Sequence, residues 1–160
     1  MKNFFFSIVV STFFVSTAAN AGWERQFKKD DFTDKSSLRY LAVDQKGTRG
    51  MFLLLDCTEN GNIDFSWQVS NSNNSKAPYS GMTFEVNVRV DANPIFKETW
   101  DWAAYGPFVS PSRDQRAVFL EKLKGGKKLA VKVDFPEVVG VFDITGFDEA
   151  YSEVKKLCAK

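Results

Sequence analysis

Period-two alternation, closely spaced turn signals and a helix-like C-terminus predict a mainly β protein. The expected form is an antiparallel β-sandwich or open barrel of about seven strands with two helices. The clearest alternation is TFEVNVRVD (83–91), which sets Phe84, Val86, Val88 and Val90 on one face and Glu85, Asn87, Arg89 and Asp91 on the other. The turn signals are KGTRG and ENGN, which separate short runs of strand-forming residues. The C-terminal stretch TGFDEAYSEVKKLC carries Phe147, Ala150, Tyr151, Val154 and Leu157 at helical spacing.

The chain opens on MKNFFFSIVVSTFFVSTAANAGW, with one charge at Lys2, an apolar run from Phe4 to Val15 and the small-residue triplet Ala19-Asn20-Ala21. This is the layout of a secretory signal peptide over residues 1–21, cleaved before Gly22. The apolar run is too short to cross a hydrocarbon layer of about 30 Å comfortably. Residues 22–160 then form a single β-rich domain, periplasmic or secreted, with no membrane insertion after cleavage.

The strands follow in order. LRYLAVDQ (38–45), MFLLLDC (51–57) and IDFSWQV (63–69) form the first group, and SNSNNSKAPYSG (70–81) reads as a long exposed loop. After 83–91 comes IFKETWDWAAY, where Phe96, Trp100 and Trp102 share a face with Glu98. In this hairpin, setting Arg89 against Lys97 would oppose like charges, so a register with Asp91 against Lys97 and a loop of about five residues is expected. LAVKVDF (129–135) and VVGVFDI (138–144) close the series across Pro136.

Two helices interrupt the strands. SRDQRAVFLEKLKGG has a capping-box pattern, Ser112 with Gln115, and ends at Gly125-Gly126. The C-terminal helix repeats the device with Thr145 and Asp148, and places acids in its first turn and Lys155 and Lys156 in its last, complementing the helix dipole. Cys158 lies at the edge of its apolar stripe. Cys57 is the only other cysteine, and in an oxidising compartment two cysteines of one small domain pair. A Cys57–Cys158 bond would tie the last helix to the sheet and is a structural feature, not a reactive one.

Composition narrows the function. Lys2 leaves with the signal, so the remaining basic residues equal the 20 acidic ones, and nucleic acid and anionic lipid are poor partners for such a chain. With no histidine, a Ser-His-Asp or Cys-His arrangement is impossible. Two thiols without histidine are also a poor metal set, and no phosphate-cradling glycine signature is present. The acidic pairs Asp30/Asp31 and Asp143/Asp148 sit in polar segments or at helix starts, as caps and surface residues do. No catalytic residue, metal or cofactor is therefore expected.

The order W…F.DKS, LLLDCTENG…W, VRVD…W, FLEKL…KLAVKV and FDITGFDEAYSEVKKLC, running from Trp23 to Cys158, resembles the small periplasmic accessory proteins of type VI secretion (the TagO/VasI type) and related small exported bacterial and phage proteins. That family carries a further cysteine-bearing segment before the domain, whereas here the signal peptide leads straight into Trp23, so the resemblance bears on the domain more than on a secretion role. It brings no catalytic residues with it.

The expectation is an exported, non-enzymatic domain that binds a protein partner in the cell envelope, a secretion-system accessory role being one form of this. A peptidoglycan- or carbohydrate-binding module, or a secreted inhibitor or virulence factor, is the alternative. Candidate binding residues are Arg89, Asp91, Trp100, Trp102 and Tyr105. Large aromatics are usually core, so the tryptophans are expected inside and the polar face carrying Arg89 and Asp91 outside as the contact surface.

Overall fold

The computed structural model describes residues 22–29, 36–46, 50–58, 60–69, 81–103, 106–134 and 137–159. The signal segment 1–21, the loop at 70–80 and Tyr105 lie outside these residues. The chain runs β1 (Glu24–Lys29), β2 (Ser36–Val43), β3 (Phe52–Cys57), β4 (Ile63–Gln68), β5 (Thr83–Val90), β6 (Phe96–Trp102), β7 (Phe108–Pro111), α1 (Arg116–Leu123), β8 (Lys128–Asp134), β9 (Glu137–Asp143) and α2 (Phe147–Cys158). All strands belong to one antiparallel sheet in the order β1-β2-β3-β4-β7-β6-β5-β8-β9.

That single sheet curls on itself. Asp44, just past β2, forms an isolated bridge with Phe142 of β9. The Gln45 N–H donates to the Val141 carbonyl at 2.7 Å, and the Asp44 carboxylate accepts the Val141 N–H at 2.8 Å. A buried carboxylate here does the work of a missing strand neighbour, satisfying an amide that would otherwise be left without a partner. Across the interior the Trp67 ring meets Phe142 at 6.3 Å. Gly140 makes room for both, since a Cβ there would stand 2.6 Å from the Phe142 ring and 3.0 Å from Trp67.

Period-two alternation explains which side chains fill the curl. Tyr40, Leu53, Leu55, Phe65, Trp67, Val86, Val88, Trp100, Leu129 and Phe142 are all buried. The Val face of β5 points inward as the alternation predicts. Helix α1 adds Phe119, whose ring stands 5.3 Å from Trp100 and 5.4 Å from Phe65. Glu98, only 8% exposed on the same inner side as the tryptophans, is reached by Lys122 of α1 at 2.5 Å. That contact ties helix to sheet with a neutralised charge instead of an isolated one.

Helix α2 lies with Phe147, Ala150, Tyr151 and Val154 buried and with Leu157 and Cys158 half-buried. Cys57 at the end of β3 is bonded to Cys158, with Cα atoms 5.6 Å apart. On the same helix the Tyr40 hydroxyl donates to Glu153 Oε2 at 2.6 Å, with Arg25 at 3.2 Å from that oxygen. Burial and this bond push the Tyr40 hydroxyl up to about 12, while the Tyr40 hydrogen bond, followed by Arg25, holds the Glu153 carboxyl below its ordinary value. A lowered carboxylate contributes stability that is present above the unfolded-state value and is lost as the pH falls through the folded one. Tyr40→Phe should therefore reduce the loss of melting temperature on acidification below the ordinary glutamate range; an unchanged acid limb would show that the bond is neutral.

Several sequence expectations are corrected. Nine strands are seen among the described residues where about seven were expected: ERQFKK forms β1 at one edge, and the four residues of β7 are inserted between β4 and β6. Neither capping box forms. The Ser112 carbonyl, not its hydroxyl, accepts the Gln115 and Arg116 N–H groups, each at 2.9 Å, so the helix starts later than the motif implies. At α2 the cap position is Gly146 at φ 85°, which has no side chain to cap with. The acids have other work: Asp143 accepts the Thr145 N–H at 2.9 Å and Asp148 accepts the Gly125 N–H at 3.2 Å.

The β5–β6 register is also different. Val88 faces Phe96, and Lys97 sits opposite Asn87, not Asp91. The segment between the two strands, 91–95, has the five residues expected, but the β5–β6 pairing already ends at Val88 and Phe96. Lys97 still finds a carboxylate, diagonally, with Nζ 2.5 Å from Glu85. Asp91 is withheld because it lies at φ 53° past the end of β5, where its carboxylate accepts the N–H groups of Lys127 (3.0 Å) and Lys128 (2.8 Å). Two backbone amides hold the aspartate at the start of β8 and so fix the end of β5.

Candidate functional site

The sequence places a contact surface on the polar face of the 83–102 hairpin, and the fold sets β8 beside β5 on that outer face. The register puts Asn87 beside Lys132 and Arg89 beside Ala130; in turn Lys132 faces Val139 and Ala130 faces Val141 on β9. Asn87, Arg89, Ala130, Lys132 and Val139, together with Ile95 from the β5–β6 connection, line a shallow trough of about 310 Å³. Ile95 is 64% exposed. An isoleucine this open, sharing the trough with Ala130 and Val139, forms a small apolar centre.

A charged rim surrounds it. Lys97 pairs with Glu85, and Lys132 Nζ stands 3.0 Å from Asp134 and 3.4 Å from Glu137. Asn87 donates to Asp134 at 3.1 Å. Lys132 holds the Asp134 carboxyl below its usual range, and Asp134 raises Lys132 in return, so these groups are charged at neutral pH. Alternating signs in water-exposed positions give orientation and partner choice more than binding energy.

The candidate residues separate as follows. Arg89 is on the trough, but its guanidinium is engaged locally: Nε donates to the Asn93 carbonyl at 3.1 Å and a terminal nitrogen to Ala92 at 3.4 Å. Arg89 therefore shapes the loop that presents Ile95. Asp91 is a structural anchor, as its bonds to Lys127 and Lys128 show. Trp100 and Trp102 are buried core residues on the opposite side of the sheet and are not brought to the trough. Tyr105 lies outside the described residues. The cysteines are bonded to each other and form no part of the trough.

Ile95, Lys132 and Val139 were not singled out by the sequence. Ile95 carried a weak signal, an aliphatic residue straight after the turn-forming Asn93-Pro94. Lys132 and Val139 carried none, because their position depends on β8 pairing with β5 across some forty residues of chain. A second, larger hollow of about 560 Å³ opens on the outer face of β2, β3, β4 and β7, with Leu41, Phe52, Leu54 and Phe108 in its lining.

Among the described residues no group of three or more histidine, cysteine, aspartate or glutamate side chains is placed to hold a metal ion, and no helix is long and apolar enough to cross a membrane. Comparison with protein families, curated proteins and solved structures finds no match to this chain.

Proposed function

We propose that the protein is an exported, non-enzymatic binding domain that docks a protein partner of the cell envelope on the outer face of β5, β8 and β9. The observation that carries this reading is Ile95, a large aliphatic side chain open to solvent over an apolar trough within a rim of paired charges. That is the build of a small protein-recognition patch: an apolar centre for energy, a polar margin for orientation. The disulfide is compatible with an oxidising compartment, and the signal-like N-terminus and the resemblance to secretion accessory proteins favour an envelope partner, including a component of a secretion machine.

A photo-crosslinking residue placed at position 95 in producing cells tests this. A control goes at Val118, which is 60% exposed on α1. The expected result is a discrete protein adduct from position 95 that is absent from position 118 and is lost with Lys132→Glu. Adducts of equal yield from both positions, or insensitivity to Lys132→Glu, would remove the trough as the docking face. Ile95→Asp is expected to leave stability within about 0.5 kcal/mol, as for other exposed positions, while weakening partner binding at least tenfold.

A further inference from the structure

A third cleft, of about 390 Å³, lies at the disulfide end of the molecule, with Thr58, Asn60, Asn62, Arg113, Arg116 and Tyr151 in its lining. Its size falls within the roughly 300–1,000 Å³ of small-molecule sites. The floor is a stiff turn. The Thr58 N–H donates to the Asn62 carbonyl at 2.8 Å, the Gly61 N–H to the Thr58 carbonyl at 2.9 Å, and the Asn62 N–H to the Thr58 hydroxyl at 3.2 Å. Cys57, the residue before this turn, is bonded to Cys158, and a Cβ on Gly61 would stand 3.2 Å from the Cys158 carbonyl oxygen. The turn is thus seated on the end of α2.

The two arginines differ. Arg116 is committed: it stands 2.7 Å from Asp64, and its terminal nitrogens donate to the carbonyls of Ile63 (3.5 Å) and Pro111 (3.4 Å). Arg113 is exposed and has no ion-pair partner among the described residues. The side-chain amides of Asn60 and Asn62 and the hydroxyl of Tyr151 are likewise without a hydrogen-bond partner there. Asp64 neutralises Arg116, so among the described lining residues the unpaired charge is the guanidinium of Arg113.

We propose that this cleft binds a sugar acid, a polyhydroxylated ligand bearing one carboxylate. A free guanidinium matches a carboxylate in a two-pronged geometry. Amides and a phenol that both donate and accept suit hydroxyl groups, which do the same. Arg113 takes the carboxylate, and Asn60, Asn62 and Tyr151 take the hydroxyls. This site is separate from the Ile95 trough, so either can fail without the other.

The test is a titration of the disulfide-intact protein followed by amide NMR signals, with glucuronic acid as the probe and glucose and inorganic phosphate as comparisons. Glucuronic acid is expected to shift the signals of 58–62 and 113–117 at concentrations at least tenfold below those needed for either comparison. Arg113→Ala should abolish that preference with an unchanged melting curve, and Arg113→Lys should keep part of it. Phosphate matching glucuronic acid would reduce the site to general anion attraction. Glucose matching it would show that the charge is not read. Either result, an absence of shifts, or an intact preference in Arg113→Ala would overturn the proposal.

Discussion

Trp100→Ala should cost about 3–5 kcal/mol, the range for emptying a large aromatic site in a core, and leave much of the protein unfolded at moderate temperature. Trp100 is 0% exposed, and its ring stands edge-on to Phe119 at 5.3 Å and to Phe65 at 6.2 Å. Three elements converge on it: β6 carries it, β4 brings Phe65 and α1 brings Phe119. Its indole N–H is buried and has no partner among the described residues, so the loss is of packing alone. Trp102, two residues on and facing the same way, packs against Phe84 at 5.7 Å and should behave alike. Arg89→Ala, on the opposite face, serves as the internal control and should change stability by only about 0.5 kcal/mol. Chemical denaturation of the three variants checks this. A Trp100→Ala variant of native stability would mean that the ring is not part of the core.

The second large effect is expected of Cys158→Ser. The bond closes a loop with a sequence separation of 101, for which the chain-entropy account gives about 4–5 kcal/mol, and measured values are typically about 2–4 kcal/mol. For a domain of this size that corresponds to a drop in melting temperature on the order of 10 °C. The effect should fall first on α2, whose buried stripe covers part of the β2–β4 surface, and on the 58–62 turn beside Cys57. Thiol titration of the unfolded, unreduced wild-type protein should find no free thiol. A melting curve unchanged by Cys158→Ser would place the bond's role elsewhere than in stability.

The parts of the fold legible in the sequence are those set by local chemistry. Alternation in 83–90 assigns the inward Val face because each side chain's direction follows from the strand's own geometry. The stripe on α2 and its charged ends are readable for the same reason, and the pairing of two cysteines follows from there being no other cysteine for either. The edge strand β1 escaped because ERQFKK is polar apart from Phe27, as an exposed edge tends to be. The four residues of β7 are too few to show a period.

Of the candidate site, Arg89 and its face were readable, but Arg89's engagement with its own loop and the role of Ile95 were not. The register of β5 against β6 was misjudged on a sound charge argument: Asp91 was treated as free to face Lys97, and the backbone amides of Lys127 and Lys128 at the start of β8 had already claimed it.

Unaided, then, the sequence determined the mainly β class, the direction of each strong strand's faces, the two helices, the disulfide and the exclusion of histidine-based chemistry. All of these depend on residue identity and near neighbours. Only the tertiary structure decided that the strands form one sheet closed by Asp44 against β9, that β7 lies between β4 and β6, and that β8 lies beside β5. It also decided that Ile95 and Arg113 are left facing water. These depend on which distant segments meet, and many strand orders bury the same alternating faces equally well. The choice among them rests on closing the curl around Trp67, Trp100 and Phe142, with Asp44 bridging to β9, a condition that no short stretch can express.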